Sequence, residues 1–276
     1  MRRFRLSMVN GLTLLLLSNG ALSLYLLKYC CPLQTDECEV QFAETCCNQY
    51  FSPISKTLNT TVKIIGQVDY KPGNAALHEV KKAIKRSMVN NPSFEYVILS
   101  RSVATLKSFQ FSEASNLDLW HCSSINYGSP FLIGSLYEGI KIASSIDDIF
   151  PPWNYNCSLI DQQEQTIYAL SRADIDSQGD IIKDCSQYKN MGSFDGFVFQ
   201  NISLSALNQM MFPRFYWGAE NVAAYALQIS GATLQSACPY YYPLHVDHVR
   251  SEGRIRINHG ENSVGFIQNG NQACFS

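Results

Sequence analysis

One stretch of the chain restricts the fold more than any other. Val62 to Val68 (VKIIGQV) is a continuous apolar-rich run of strand length. Asp69-Tyr70-Lys71-Pro72-Gly73-Asn74 reads as a loop, and from Ala75 to Val89 the residues Leu77, Val80, Ala83, Ile84 and Met88 recur at helical spacing. Asn90-Asn91-Pro92 then stops the helix, because proline cannot continue it and restricts the residue before it. Phe94 to Ser100 (FEYVILS) is a second buried-strand pattern. Strand, helix and strand at these lengths predict a βαβ unit with a right-handed crossover and a parallel sheet.

The pattern repeats less sharply downstream. Pro130 to Ile142 is apolar and helix-like before a β-type run at Ile140 to Ala143, and Tyr168-Ala169-Leu170-Ser171 and Gly196-Phe197-Val198-Phe199 are strand candidates. Glu220 to Ile229 has helical spacing, with Gly231 as its C-terminal stop. Alternating strands and helices predict an α/β fold.

Upstream, Leu6 to Leu27 carries no charge and as a helix would reach roughly 33 Å, enough to cross a hydrocarbon core of about 30 Å. Arg2, Arg3 and Arg5 precede it and only Lys28 follows closely, which predicts a cytoplasmic N-terminus and a lumenal remainder. Ala21-Leu22-Ser23 offers the competing reading of a cleaved signal peptide, with the same compartment. The expected organisation is a stub at 1–5, a signal anchor at 6–27, a cysteine-rich stem at 28–60 and a lumenal domain at 61–276. Ten cysteines with no CxxC pair and no Cys/His spacing for structural zinc predict disulfides, whose pairing stays open. Asn59, Asn156 and Asn201 head glycosylation sequons that fit a lumenal domain.

A hydrophobic fraction of 46% supports a substantial core. A net charge of −2 without a basic patch disfavours nucleic-acid partners. No GxSxG, HExxH, GxGxxG or P-loop is present.

Six short motifs occur in order: Asn90-Asn91-Pro92 leading into the strand Tyr96-Val97-Ile98-Leu99; Ile142-Ala143-Ser144-Ser145-Ile146-Asp147-Asp148; Ala169-Leu170-Ser171-Arg172; Ser193-Phe194-Asp195-Gly196-Phe197-Val198-Phe199; Gly218-Ala219-Glu220-Asn221; and Tyr242 to Arg250 around His245. Together, over about Val62 to Arg250, they resemble a family of predicted glycosyltransferases with the GT-A, nucleotide-diphospho-sugar transferase fold. The chain departs from the family pattern at Ile146-Asp147-Asp148, Pro243 and Asp247.

The resemblance implies a Rossmann-like, mostly parallel sheet flanked by helices. It also implies transfer of a sugar from a nucleotide-sugar donor to a glycan or glycoprotein acceptor, in the Golgi or endoplasmic reticulum membrane. Such a reaction needs a divalent cation, Mn²⁺ or Mg²⁺, to neutralise the leaving diphosphate. Asp147 and Asp148 would hold it, with His245 completing the shell. Arg172 and Ser193, with the two acids, would contact the donor. Glu220 would act as general base with Asp195 in the sugar pocket, and Trp217 and Asn221 would meet the acceptor. The bland alternatives are a solvated turn for Asp147-Asp148, a structural histidine, and a helix-start acid that suits the helix dipole. A non-catalytic lumenal or surface binding protein on a degenerate scaffold is the rival from another class.

Overall fold

The computed structural model describes residues 47–51, 62–110, 116–152, 166–190, 194–212 and 216–246, with the strand backbone of 255–256 and 268–269. The expected anchor at 6–27, the sequons at Asn59 and Asn156, and Ser193, His248 and Arg250 lie outside the described residues. Among the described residues no helix is long and apolar enough to cross a membrane.

In chain order the elements are β1 (Cys47–Phe51), β2 (Val62–Gln67), α1 (Ala75–Asn90), β3 (Glu95–Ser100), α2 (Val103–Lys107), β4 (Leu117–Cys122), α3 (Ser129–Gly134), β5 (Ile140–Ser144), β6 (Thr166–Leu170), β7 (Ala173–Ile175), β8 (Ile181–Lys183), α4 (Cys185–Asn190), β9 (Gly196–Phe199), α5 (Leu204–Gln209), β10 (Tyr216–Trp217), α6 (Ala219–Ile229), β11 (Thr233–Ser236), β12 (Leu244–Val246), β13 (Ile255–Arg256) and β14 (Gln268–Asn269). Among the described residues nine strands form one sheet in the order β1-β4-β3-β2-β5-β9-β6-β11-β14. The β4-β3-β2-β5 and β6-β11-β14 runs are parallel, while β9 lies antiparallel between β5 and β6. A second sheet, β12-β7-β8, sits apart from it.

The predicted βαβ unit forms as expected, with β2 and β3 adjacent and parallel from Lys63↔Glu95 to Gln67↔Leu99. Every residue of both strands is buried, because helices cover both faces of the sheet. On one face Val62, Ile64 and Val68 pack with Leu77, Val80 and Ile84 of α1 and with Leu106 and Phe109. On the other, Ile65, Val97 and Leu99 pack with Ile133 of α3. Asn74 caps α1, its side chain accepting from the Ala76 amide at 2.8 Å.

One expected boundary is corrected. β1 falls inside the stretch expected as a stem, yet it pairs antiparallel with β4, and a Cys47–Cys122 disulfide joins the two. The folded domain therefore begins by Cys47. Apolar periodicity could not reveal a five-residue edge strand whose pattern alternates only partly. A second disulfide, Cys185–Cys238, ties α4 to the segment after β11.

Candidate functional site

The crossovers of the main sheet set the site. From β2 the chain steps outward to β3 and β4, then returns across β2 to place β5 on its other side. The connection direction thus reverses between β2 and β5. In open α/β sheets the crevice beyond the carboxyl ends of strands at such a reversal is where ligands bind. A cavity of about 250 Å³ lies there, walled by Gln67 at the end of β2 with Asp69 and Tyr70 beyond it, Ser144 at the end of β5 with Ser145 to Asp147 beyond it, Asp195 before β9, and Glu220 of α6. Tyr127, Phe131 and Phe194 supply an aromatic flank.

Local chemistry holds these segments in place. Gly66 has no side chain because a Cβ there would lie 2.7 Å from that of Ile146, so only glycine lets the β5 turn close over β2. The Ser145 amide donates to the Asp195 carbonyl at 2.8 Å, and Ser144 Oγ donates to the same oxygen at 2.9 Å, joining the ends of β5 and β9. The Asn-Asn-Pro step does more than stop α1. Asn90 Nδ2 donates to the Phe150 carbonyl at 2.9 Å, and Asn91 Nδ2 donates to the Phe150 and Pro151 carbonyls at 3.2 and 3.0 Å. Ser87 Oγ accepts from the Phe150 amide at 2.9 Å. The C-terminal end of α1 therefore clamps the segment that follows Asp147 and Asp148.

Those two acids, adjacent in sequence, face different surroundings. Asp147 lines the cavity and accepts from Ser145 Oγ. Asp148 is buried, and its Oδ1 lies 2.8 Å from Nδ1 of His245. A two-way backbone bridge between Ile149 and Leu244 (2.7 and 2.8 Å) sets that meeting, laying β12 beside the acid-bearing turn. Arg172 is also buried and adjoins the pair: its Nε lies 2.9 Å from Asp174 Oδ1, its Nη1 3.4 Å from Asp195 Oδ1, and its guanidinium sits over the Tyr188 ring. Tyr188 donates its hydroxyl to Asp174.

Burial, then the neighbouring charge of Asp148, push the Asp195 carboxyl far above the usual carboxylate range, against the pull of Arg172. Burial likewise raises Asp148 and outweighs its bond to His245. Burial pulls His245 down, but its bond to Asp148 and that carboxyl's charge raise the imidazole to about 9. All three groups hold protons more tightly folded than unfolded. Their contributions to stability are therefore largest in mild acid and fade as pH rises, with His245's lost between about 6.5 and 9. Thermal melts should show Tm falling over that interval, and His245→Gln should flatten the fall. A wild-type Tm that rises from pH 6.5 to 9 would contradict the pairing.

The expected site residues are thus divided. Asp147, Asp195 and Glu220 meet in one cavity wall. Asp148 and His245 form a bonded pair outside that wall, and among the described residues no group of three His, Cys, Asp or Glu side chains is arranged to hold a metal ion. Of the expected shell, Asp148 and His245 meet at 2.8 Å, where low-dielectric surroundings make the two groups satisfy each other, while Asp147 faces the cavity. Arg172, expected at the donor, lies outside the cavity wall as a buried cation beside Asp174 and Asp195. Asn221 is half-buried on α6, outside the cavity wall, and Trp217 lies on β10, paired by its backbone with β13. Sequence reasoning passed over Asp69, an acid just beyond a strand end like Asp147, which the same rule could have found. Asp174 and Tyr188 gave no such signal.

No family model matches the chain, and no curated protein does. Among solved structures, S. aureus TarS 1–349 aligns with a TM-score of 0.45 and 11% identity, over 67% of this chain. The chain spans 60% of that structure's length.

Proposed function

We propose that this protein is a glycosyltransferase that binds a nucleotide-sugar donor in the cavity between β2 and β5 and transfers the sugar to a glycan or glycoprotein acceptor. One observation carries the reading. The cavity at the sheet's reversal point brings together a strand-end acid, Asp147, a second carboxyl, Asp195, and the helix-start acid Glu220. The order of motifs along the chain, which resembles GT-A transferases, supports the same reading.

The cavity's acidic residues are Asp69, Asp147, Asp195 and Glu220, and among the described residues no Lys, Arg or His lies in its wall. A diphosphate would meet only like charge there, so it needs a counter-cation. Hard oxygen donors suit Mn²⁺ or Mg²⁺, and such ions are commonly held by one or two carboxylates with the rest of the shell from phosphate and water. Asp147 is the residue that would hold the ion. When bound, the ion would neutralise charge on the departing diphosphate. Asp195, kept largely protonated by its surroundings, can donate a hydrogen bond to a sugar hydroxyl. Glu220 would accept the proton of the acceptor hydroxyl.

With the nucleotide sugar and Mn²⁺ at about 100 times Kd, the wild type should gain about 2.7 kcal/mol of stability, read as a rise in Tm. Asp147→Ala should abolish that gain. A shift that survives in Asp147→Ala would remove Asp147 from the donor site. In keeping with the sequence before Val62, the proposed setting is a type II membrane protein with this domain lumenal. The Asn201 sequon is exposed, as a glycan there would require.

The departures from the family pattern at Ile146-Asp147-Asp148 and Pro243 favour one second reading, a lumenal binding protein without catalysis. Donor-dependent stabilisation without turnover on any acceptor would identify it.

A further inference from the structure

The exposed face of α1 is unusual for a protein of net charge −2. Lys82, Lys85 and Arg86 are exposed on it, Lys81 is half-buried at its edge, and His78 extends the stripe by a turn. The helix contains one acid, Glu79, which pairs with Lys82 at 3.0 Å. Lys81 and Lys85, and Lys82 and Arg86, stand at i and i+4, where like charges destabilise a helix. Burial and Lys85's charge both lower the pKa of Lys81. A merely solvated helix face gains nothing from such crowding. Linear inspection showed no basic patch because α1 interleaves these residues with core positions; folding sorts them onto one side.

The stripe also leads somewhere. Lys81 Nζ lies 5.6 Å above the Phe109 ring, which sets the edge of α1 against the end of α2, where Lys107 is exposed. Thr105 of α2 donates its hydroxyl to the carbonyl of Tyr70, a cavity residue. Just before α2, Arg101, itself 55% exposed, lies 3.2 Å from Asp69 in the cavity wall. Basic side chains therefore run from the outer turns of α1, past Lys107, to the cavity rim at Arg101.

We propose that this track docks an acidic polysaccharide, a chain bearing sulfate or carboxylate groups, and holds it so that one sugar reaches the cavity. The assignment rests on the transferase reading above and names the acceptor's chemical class. Charge complementarity selects a polyanion. The track follows a helix, with charges one turn or about 5.4 Å apart, so it matches a linear chain. A membrane surface would call for a cluster of apolar side chains to insert, and among the described residues only Val89 on α1 and Val103 on α2 are large, apolar and exposed along the track.

Binding of a fluorescent heparin dodecasaccharide to the full-length chain tests this. Lys82→Gln, Lys85→Gln and Arg86→Gln together should weaken binding about tenfold or more, because each lost cation removes a counterion-releasing contact. Lys183→Gln, on β8, should leave it unchanged. Donor-dependent stabilisation should be equal in the triple variant and the wild type, showing an intact cavity. Unaltered heparin binding in the triple variant overturns the track, whatever the Asp147 experiment shows. Tighter binding of phosphatidylserine-containing vesicles or duplex DNA than of heparin, with the same loss in the triple variant, overturns the assignment to polysaccharide. Patch-dependent heparin binding with no donor stabilisation in the wild type upholds the docking surface while removing the transferase reading beneath it.

Discussion

Replacing Glu220 by Gln is expected to lower turnover about a hundredfold or more while donor binding stays as in the wild type. Glu220 stands in the first turn of α6 and lines the same cavity as the strand-end acids. Gly218, at φ +79°, takes the left-handed conformation at the N-cap and so turns the chain directly into that helix. The amide of glutamine keeps the shape and hydrogen-bonding reach of the carboxylate but cannot accept a proton at neutral pH. A group that acts mainly in the transition state should lower kcat and spare the donor's Kd. Loss of the first-turn negative charge costs the helix only about 0.3–1 kcal/mol, so the variant should remain folded. The pair of measurements is decisive: nucleotide-sugar affinity by calorimetry and turnover by release of the nucleotide. Weakened donor affinity would put Glu220 on the donor, and unchanged turnover would end its role as base.

Arg172→Met should be the most damaging single substitution to stability, costing about 3–5 kcal/mol. Methionine roughly matches the aliphatic stem, so the loss comes from charge. Arg172 stands within 2.9 Å of Asp174 and 3.4 Å of Asp195, with exposures too small for water to replace it. Without the cation, the Asp174 carboxylate stays buried without its counter-charge, and Asp148 and Asp195 lose the same neighbouring positive charge. Chemical denaturation would show the loss directly. Adding Asp174→Asn should return part of it, since that change removes the stranded charge. A loss under about 1 kcal/mol would mean that the network is well hydrated and the buried-pair account is wrong.

These expectations draw unequally on the sequence and on the folded chain. Local pattern determined the central βαβ unit, because a run such as VKIIGQV buried on both faces and a helix with a clean apolar stripe each announce themselves within a few residues. Asp147, Asp195 and Glu220 were legible for a related reason. Each stands at an element boundary, and in a parallel sheet the carboxyl ends of strands converge on one side, so boundary acids are brought together by topology.

Only the tertiary structure could decide which way neighbouring acids face. Asp147 and Asp148 are consecutive, yet one lines the cavity and the other is paired with His245, 97 positions away, through a strand bridge that no local pattern encodes. The same holds for Arg172, whose partners Asp174 and Asp195 are gathered from two sheets, and for β1, which joins the main sheet through its pairing with β4. Local sequence carries the free energy of turns, caps and apolar faces. Burial of a charge is decided by which other charge is buried with it, and in this protein that partner always comes from a distant segment or across a turn between strands.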